Sequence, residues 1–515
     1  MRIISIDTAE NALSSLNSMR VKSIFALLAI IAMGVGMTAC DQVDLDDPQP
    51  ETSVSLDQAV NSTSGFASLI NSGYDRLQSG AFYGQQWVLY PEALADNAQL
   101  AERGGNRYPN VINNVPRTHM VGWGAMYSTI NEMNVILQNI DGFTPTADNP
   151  EALKDQIRGQ ALFLRGLAYF DLLRIYSYMP GTIDGRNREP GDFSLGVPLT
   201  LEPTLSTEDA ESLPRSQNTE VYDQVISDFE SAGSLLEENS AGPGSIQGGP
   251  ARATAAASAG MLSRVHLYLT NWEQAETAAT RAINLTNATV VDSRDGGFED
   301  AWRASSYPGS VFELSMTSGQ DATGADGLQD LTFFTDPNND GTPNNFAYQL
   351  VTSDDVRSIY TSDDARQSLF ATDPDGSVYI EKYNGTIAQF ADRIPLLRMA
   401  ELRLNRAEAR AQQGKTNDAQ TDLNYIRERR GLNSASSTGQ ALVDEILEER
   451  RREFLFEGKR FFTLKRYARD IPKPQVGPSV SVDFDGPLSE RRLILSNIPD
   501  AIIQSNGGLV QNPGY

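Results

Sequence analysis

The side chains that most often perform catalysis are scarce in this sequence of 515 residues, which has one cysteine, Cys40, and two histidines, His119 and His266. These numbers almost exclude a cysteine nucleophile, a Cys/His zinc site and a multi-histidine metal centre. A serine–histidine triad would need one of the two histidines. His266 lies in an apolar helical stretch, and His119 has no Gly-x-Ser-x-Gly motif to partner it. The 67 carboxylates do not single out a glycosidase pair, so we expect no enzymatic activity.

The single cysteine lies in a context that predicts covalent lipidation. Arg20 and Lys22 precede a nearly apolar run over residues 24–36, too short to span a bilayer, and the run leads into M-T-A-C at residues 37–40. This arrangement resembles a bacterial lipoprotein signal, with Met37 departing from the usual leucine. We therefore expect residues 1–39 to be a signal peptide and Cys40 to carry acyl chains. Each buried methylene contributes about 0.8 kcal/mol, so two or three chains make a lasting anchor. An ordinary signal peptide with an unrelated cysteine is the alternative.

The residues on either side of this signal suggest a later start and an acidic tether. Asp7 and Glu10 do not suit the basic start of a signal peptide, whereas Met19 directly precedes Arg20, so we expect translation to begin at Met19. Residues 40–55 form the tether. Its acidic run, 41–47, resembles the surface-export signal of Bacteroidetes-type lipoproteins, and a simple solvated spacer is the alternative.

Composition limits the partners and the fold class. The net charge is −25 and the pI is about 4.5, so a nucleic acid would be repelled. The hydrophobic content of 40% is ordinary for a globular protein. Beyond Cys40 no apolar run is long enough for a membrane helix.

Aromatic rings in two segments are candidates for ligand binding, because sugar C–H faces pack on flat π surfaces while amides and carboxylates bind hydroxyl groups. The candidates are Tyr83, Trp87, Tyr90 and Asn97 in the first segment, and Trp302 and Tyr307 in the second. We expect both tryptophans to lie off the core. The alternative is that these rings anchor loops onto the core.

A weak calcium site is predicted at Asp336, Asn338 and Asp340. The sequence D-P-N-N-D-G at residues 336–341 matches the first half of a calcium loop. The twelfth position holds Ala347 instead of the bidentate glutamate, and helices do not flank the segment. An Asx-rich turn is the alternative, and no other cofactor is expected.

Hydrophobic periodicity predicts a mostly helical chain. The expected helices cover residues 56–77, 123–140, 151–178, 219–236, 253–269, 273–285, 396–413, 417–430 and 441–469. Residues 82–91 are expected to be a loose aromatic segment. The stretch at about 290–394 is rich in Gly, Asp, Asn and Pro, which predicts a loop-rich insertion with short strands such as 311–314 and 378–383. We expect residues 56–515 to form a single domain.

Two helical hairpins share a spacing of small or apolar residues at i, i+4 and i+7. The matching positions are Ala275, Ala279 and Ala282 in one hairpin, and Ala419, Leu423 and Ile426 in the other. Small side chains there let antiparallel helices approach closely, as in tetratricopeptide-like repeats. The predicted fold class is therefore mostly α, with a tetratricopeptide-like helical-repeat scaffold that carries irregular loop and small β insertions.

Charged residues cluster in two of these helices. Arg165, Asp171 and Arg174 are expected to form buried or helix-end pairs. The second cluster, which could bind an anion, consists of Arg450, Arg451, Arg452, Lys459 and Arg460. Glutamates interleaved with it at 448, 449, 453 and 457 favour a salt-bridged helix face instead.

Five motifs in order resemble the SusD/RagB family of outer-membrane nutrient-binding lipoproteins. They are A-L-F-L-R-G-L-A-Y-F-D-L-L-R-I-Y at 161–176, R-A-T-A-A-A-S-A-G-M-L-S-R-V-H-L-Y at 252–268, R-I-P-L-L-R-M-A-E-L-R-L-N-R-A-E-A at 393–409, E-E-R-R-R-E-F-L-F-E-G-K-R-F-F-T-L-K-R at 448–466, and Q-N-P-G-Y at 511–515. Thr463 departs from the family, which usually has an acid there.

The resemblance implies a SusD-like α/α superhelix, with four tetratricopeptide-like units as scaffold and a ligand site on loops and insertions. It also implies a lipid-anchored protein on the outer membrane, facing the cell exterior, that captures an oligosaccharide and delivers it to a SusC-like TonB-dependent barrel without catalysis. Some members of the family bind peptides, which is the first alternative. A secreted glycoside hydrolase and a purely structural repeat protein are less favoured alternatives.

Overall fold

The computed structural model describes residues 56–515 except for short gaps at 103–106, 184–185, 188–192, 207–211, 239–248, 294–296, 318–320, 322–326, 337, 339–347, 474–475, 478–479 and 486–491. The predictions for Met19, Cys40 and the acidic run fall outside the described residues. No helix within the described part is both long and apolar enough to cross a membrane.

Helices dominate the described chain, which confirms the predicted fold class. They are α1 Leu56–Val60, α2 Thr63–Gln78, α3 Gln86–Leu94, α4 Pro109–Ile112, α5 Trp123–Asn139, α6 Pro150–Tyr176, α7 Asn218–Glu238, α8 Ala255–Tyr268, α9 Trp272–Leu285, α10 Gly297–Arg303, α11 Leu328–Thr332, α12 Asp354–Ser358, α13 Met399–Gln412, α14 Thr416–Arg429, α15 Gly439–Glu453, α16 Arg460–Arg466 and α17 Asp500–Ser505.

Short strands pair into two-stranded antiparallel sheets. They are β1 Ala98–Leu100, β2 Thr182–Ile183, β3 Arg186–Asn187, β4 Ser310–Leu314, β5 Leu350–Thr352, β6 Phe370–Thr372, β7 Val378–Ile380 and β8 Ile394–Arg398. The sheets are β1–β5, β2–β3, β4–β8 and β6–β7. Half of these strands, β4 to β7, lie in the predicted insertion, and β4 and β7 overlap the two strands that the sequence indicated there.

Helix α6 is the centre of the scaffold. Asn149 caps it by accepting a hydrogen bond from the backbone N–H of Ala152 at 3.2 Å, and Pro150 suits its first turn. Every side chain from Gly159 to Tyr176 is buried. Burying one large apolar side chain contributes roughly 1.5–3 kcal/mol, so the apolar residues of this helix provide a large share of the core.

From α6 onward, each scaffold helix packs on the next one. Helix α6 packs on α7, α7 on α8, α8 on α9, α9 on α13 and α13 on α14. Ala275, Ala279 and Ala282 are fully buried in α9, and Ala419, Leu423 and Ile426 in α14, so the close approach expected of these hairpins is confirmed.

Buried ion pairs join neighbouring scaffold helices. Arg165 of α6 donates to both carboxylate oxygens of Asp228 in α7, from Nε at 2.9 Å and from Nη2 at 2.7 Å. Arg264 of α8 pairs in the same bidentate way with Glu401 of α13, at 2.7 and 2.8 Å. The expected buried pairing of Arg165 is therefore confirmed. Such pairs cost desolvation, but removing one partner costs more, so they favour one register between helices.

Several predicted boundaries are wrong. The expected helix over 56–77 is interrupted between α1 and α2, and the one over 396–413 begins only at Met399, after β8. Residues 82–91 are not a loose segment, because α3 begins at Gln86 and is buried on nearly all sides. The expected helix over 441–469 is interrupted between α15 and α16, where Phe456 and Gly458 have φ angles of 59° and 70°. Left-handed backbone at these positions ends α15.

Candidate functional site

Trp87 lies in the core, so the prediction that it is off the core is wrong. Its side chain is 1% exposed, and its ring centroid is 4.9 Å from that of Phe82 and 6.2 Å from that of Phe462. The guanidinium of Arg174 lies 5.1 Å from the ring centroid, and the indole Nε1 donates to the backbone oxygen of Val121 at 3.3 Å. Because neighbours cover the ring, it offers no face to a ligand.

Tyr83 belongs to the same buried assembly. Its hydroxyl donates to Asp171 Oδ2 at 2.8 Å and accepts from Arg174 Nη2 at 2.9 Å. Burial, and secondly the Asp171 carboxylate, raise the pKa of Tyr83 well above its usual value. Arg174 and Asp171 also form the buried pair expected within α6. This network holds the turn that precedes α3 against α6 and is structural.

Trp302 and Tyr307 are likewise core residues, so the prediction that Trp302 lies off the core is wrong. Their side chains are 1% and 2% exposed, and the two ring centroids lie 5.0 Å apart. Tyr383 packs on Trp302 at 6.1 Å, and the ammonium of Lys382 lies 4.9 Å from the Trp302 ring. These contacts hold parts of the insertion together. The hydroxyl of Tyr383 joins them to the scaffold by donating to the backbone oxygen of Phe456 at 2.9 Å.

Tyr90 and Asn97 differ in burial. Tyr90 is half-buried, and its ring meets that of Tyr108 edge-on at 5.6 Å. Asn97 is buried, where its Nδ2 donates to Glu92 Oε2 at 2.6 Å and its Oδ1 accepts from Arg451 Nε at 2.9 Å. The amide of Asn97 is therefore satisfied within the protein, and of the six predicted side chains only Tyr90 is half-exposed.

A different group of rings forms a more suitable surface. We call Phe333, Phe334, Tyr348 and Tyr379 the insertion cluster. Ring centroids lie 5.6 Å apart for Phe333–Tyr379 and for Phe334–Tyr348, and 6.2 Å apart for Tyr348–Tyr379. The tyrosines are buried, while both phenylalanines are half-buried. The cluster therefore combines buried rings with partly exposed ones.

Strands β1, β5, β6 and β7 position the insertion cluster and add polar groups. Val351 of β5 packs in the cluster, and its direct partner in β1 is Gln99, whose side chain therefore lies on the same face. The Oε1 atom of Gln99 is buried and has no partner within the described residues. The hydroxyl of Tyr348 donates to Asp373 Oδ2 at 3.2 Å.

The electrostatics of the cluster keep both phenols neutral. Burial, and next the carboxylates of Glu381 and Asp373, raise the pKa of Tyr379 to about 12. Burial and Asp373 raise the pKa of Tyr348 above its usual value. The cluster can offer apolar faces and hydrogen bonds, but not an ionised nucleophile. Sequence reasoning overlooked it, although the Phe-Phe doublet next to an Asp- and Asn-rich run was a usable signal.

Two clefts lie elsewhere on the protein. An open cleft of about 340 Å³ is lined by Trp123, Tyr127, Pro198 and Pro203 among others, but the hydroxyl of Tyr127 is already bound to the backbone oxygen of Pro198 at 2.7 Å. A cleft of about 780 Å³ between α6, α7 and α8 has no aromatic residue among its described lining. Among the described lining of the two clefts, Tyr127 is the one half-buried aromatic residue, whereas the insertion cluster has two.

The histidines are placed as structural residues. His119 is buried, with Nε2 at 2.8 Å from Asn114 Oδ1 and Nδ1 at 3.0 Å from the backbone oxygen of Leu495. Burial lowers the pKa of both His119 and His266 to about 4. Within the described residues neither histidine hydrogen-bonds a serine or threonine hydroxyl, so the geometry offers no triad.

The predicted calcium loop is only partly described. Asp336 is half-buried and Asn338 is exposed, while Asp340 lies outside the described residues. The described residues contain no group of three or more His, Cys, Asp or Glu side chains that could hold a metal ion. The calcium site therefore stays a prediction.

Two family models match the chain. A model described as SusD family matches residues 379–515, and one described as starch-binding associating with outer membrane matches residues 46–267.

Relatives and solved structures agree with these matches. The SusD-like protein P38 of Formosa agariphila is 26% identical over 495 residues, which are 85% of this chain and 90% of that protein. The starch-binding protein SusD of Bacteroides thetaiotaomicron is 32% identical over 122 residues, 24% of this chain and 21% of that protein. A SusD-like carbohydrate binding protein from Bacteroides vulgatus has the same fold, with a TM-score of 0.69 and 22% identity over 87% of this chain and 97% of its own. The predicted resemblance is thus confirmed, and the chain belongs to the SusD/RagB family.

Proposed function

We propose that this protein is a cell-surface lipoprotein that binds an oligosaccharide at the insertion cluster and delivers it to a SusC-like TonB-dependent barrel. The observation that carries the ligand class is the family, whose model is described as starch-binding. The half-buried rings of Phe333 and Phe334 support the location, since they are fixed against buried tyrosines.

The physics of the site predicts modest affinity. An aromatic contact contributes roughly 0.5–1.5 kcal/mol beyond burial of area, and two partly exposed rings cannot supply nanomolar binding alone. We expect a dissociation constant between about 1 μM and 1 mM, which corresponds to roughly −8 to −4 kcal/mol. Weak binding also lets a ligand pass on to a transporter.

The anchor and the partner rest on the sequence. Acylation at Cys40 would hold the protein to the outer membrane, and the acidic run after it would favour the outer face. The barrel is the partner that the family resemblance implies. Co-purification from detergent-solubilised membranes tests this partnership, and recovery of the protein without any barrel would contradict it.

Calorimetry with matched variants tests the ligand site. Phe333→Ala and Phe334→Ala should each weaken binding of maltooligosaccharides or laminarin oligosaccharides by about fivefold, as loss of roughly 1 kcal/mol requires. Phe143→Ala is the matched control, because Phe143 is also a half-buried phenylalanine but packs on Phe66 of α2 at 5.1 Å.

Three results would revise this proposal. Equal affinity in the Phe333, Phe334 and Phe143 variants would place the site elsewhere. Binding of peptides but of no glycan in the panel would favour the peptide-binding alternative. Release of shorter sugars from a bound oligosaccharide would show that the protein is a hydrolase.

A further inference from the structure

Phe390 has a backbone conformation that a bulky residue rarely adopts. Its φ angle is 67°, in the left-handed region that glycine and asparagine usually occupy. Among the described aromatic residues only Phe456 shares this feature, with a φ angle of 59°. Phe456 is fully buried where α15 ends, so core packing accounts for its strain. Phe390 is half-buried in a loop, and its strain needs another explanation.

The strained residue lies at the tip of a tight hairpin. The backbone N–H of Ala391 donates to the oxygen of Ala388 at 2.9 Å, and the N–H of Ala388 donates to the oxygen of Ala391 at 3.3 Å. Gln389 and Phe390 are therefore the two central residues of the turn. A turn in which only the second central residue is left-handed normally has Gly or Asn there. This chain has an aromatic side chain instead.

Hydrogen bonds from neighbouring side chains fix the loop that carries the hairpin. Gln329 of α11 accepts from the backbone N–H of Phe390 at 2.8 Å and donates to the backbone oxygen of Asn384 at 3.1 Å. The buried carboxylate of Asp392 accepts from the backbone N–H of Gly385 at 2.8 Å. Several bonds thus hold the same short loop, which is the condition under which a strained residue persists.

Gln329 also connects the hairpin to the insertion cluster. Its backbone oxygen accepts a hydrogen bond from the N–H of Phe333 at 2.9 Å, while its side chain accepts the bond from Phe390. One residue therefore bridges the first ring of the cluster and the tip of the hairpin. An oligosaccharide presents several sugar rings in a row, so a further ring beside Phe333 would lengthen the apolar surface available to it.

Ring stacking within the protein does not explain why position 390 is a phenylalanine. Ile387 and Ala388 of the same loop pack on the main hydrophobic core. Within the described residues no aromatic ring or cation stacks on Phe390, whereas Phe333 and Phe334 each have ring neighbours. The side chain at the strained position is thus free to serve another contact.

We propose that Phe390 contacts the ligand and extends the insertion cluster by a third partly exposed ring. This role rests on the proposed function, to which it adds a residue and not a new ligand. The turn, fixed by Gln329 and Asp392, holds the ring in place before the sugar arrives. Such preorganisation reduces the ordering that binding requires.

Two variants of Phe390 separate the ring from the backbone strain. Phe390→Ala and Phe390→Gly both remove the ring, so calorimetry with maltooligosaccharides and laminarin oligosaccharides should show about fivefold weaker binding for each. Glycine also relieves the left-handed strain, which alanine keeps. In urea unfolding, the folding equilibrium constant of Phe390→Gly should therefore be about fivefold larger than that of Phe390→Ala.

Thr270→Gly is the matched control for relief of strain. Thr270 has a similar φ angle of 60° in the turn between α8 and α9, and it carries no ring. This variant should bind the oligosaccharides as tightly as the unchanged protein, because the affected turn belongs to the scaffold.

Different results would contradict the role of Phe390 and the proposed function. Unchanged affinity in both Phe390 variants, with weaker binding in Phe333→Ala and Phe334→Ala, would overturn the role of Phe390 and keep the cluster as the site. Weaker binding in the Phe390 variants alone would support contact between Phe390 and the ligand, and would contradict the cluster. If no oligosaccharide binds the unchanged protein, the proposed function fails and the role of Phe390 fails with it.

Two further results would overturn the role of Phe390 by itself. Equal stability of Phe390→Ala and Phe390→Gly would show that the turn is not strained in solution. Loss of the barrel from co-purification with Phe390→Gly, at unchanged affinity for the oligosaccharide, would show that the hairpin tip contacts a protein partner and not the sugar.

Discussion

The backbone oxygen of Trp87 occupies the place where a side chain at position 458 would begin. A Cβ atom built on Gly458 would lie 2.2 Å from this oxygen, and Gly458 has a φ angle of 70°. Only glycine satisfies both constraints, so the turn after α15 and the buried helix α3 depend on each other.

Gly458→Ala should lower the free energy of unfolding by roughly 3 kcal/mol, since it adds backbone strain and a clash with the main chain. Gly414→Ala is the matched control. Gly414 has a similar φ angle of 74° but nothing within 4 Å of a Cβ, so it should lose only about 1 kcal/mol. Urea unfolding of the two variants measures the difference, and equal losses would show that the contact with Trp87 can relax.

Glu401→Gln should cost about 3–5 kcal/mol, because it leaves the buried cations Arg264 and Lys459 uncompensated. These cations, led by Arg264, outweigh burial and hold the pKa of Glu401 well below its usual range. Glu237→Gln provides a comparison at an exposed pair with Arg281 and should change stability by less than about 1 kcal/mol. Denaturant titration of both proteins is the measurement, and a small effect at Glu401 would argue against an ionised pair.

Stability should fall between neutral and mildly acidic pH because of His119. Its folded pKa of about 4 is below the value of about 6.5 for an unfolded histidine, so the unfolded state binds more protons between these limits. The folded state therefore loses stability as pH falls from about 6.5 to about 4, by roughly 1.4 kcal/mol per pH unit for this residue.

His119→Gln should remove this contribution, so that its loss of stability from pH 7 to pH 5 is about 2 kcal/mol smaller than that of the unchanged protein. His266→Gln should leave the contribution of His119 in place. Urea unfolding at the two pH values decides the point, and an unaltered pH dependence in His119→Gln would refute it.

Trp302→Ala should destabilise the protein by about 3–5 kcal/mol, as expected for a fully buried large side chain. Trp272→Ala, at a half-buried tryptophan in α9, should cost clearly less. Thermal melts of both variants give the comparison. If Trp302→Ala melts at the same temperature as the unchanged protein, the ring does not stabilise the insertion as its packing indicates.

Cys40→Ala should release the protein from membranes, since acyl chains on this thiol are the proposed anchor. Membrane fractionation in the absence of the partner barrel measures the effect, with Ser55→Ala in the tether as control. Intact-mass analysis should also find a mature protein that begins with acylated Cys40. A mature protein that retains residues 1–18 would contradict both the start at Met19 and lipidation.

The sequence by itself determined the scaffold and the family. Burial along a helix repeats with a local period, so the apolar pattern of α6 and the alanines of α9 could be recognised without any knowledge of their neighbours. The Gly- and Asp-rich composition of the insertion, and the short strands within it, are local signals too.

The tertiary structure alone decided which aromatic rings are exposed and which charged side chains pair across the fold. Trp87 is covered by Phe462 and Trp302 by Tyr383, residues far away in sequence, so no local pattern could show that these tryptophans are buried. Likewise the run of arginines after Glu448 looks uniform in sequence. The pairs of Arg452 with Glu448 and Glu449 lie within α15 and follow from the spacing of these residues. Arg451 pairs instead with Asp96, and Arg450 donates to the amide of Asn405, and both contacts depend on which segments meet in the fold.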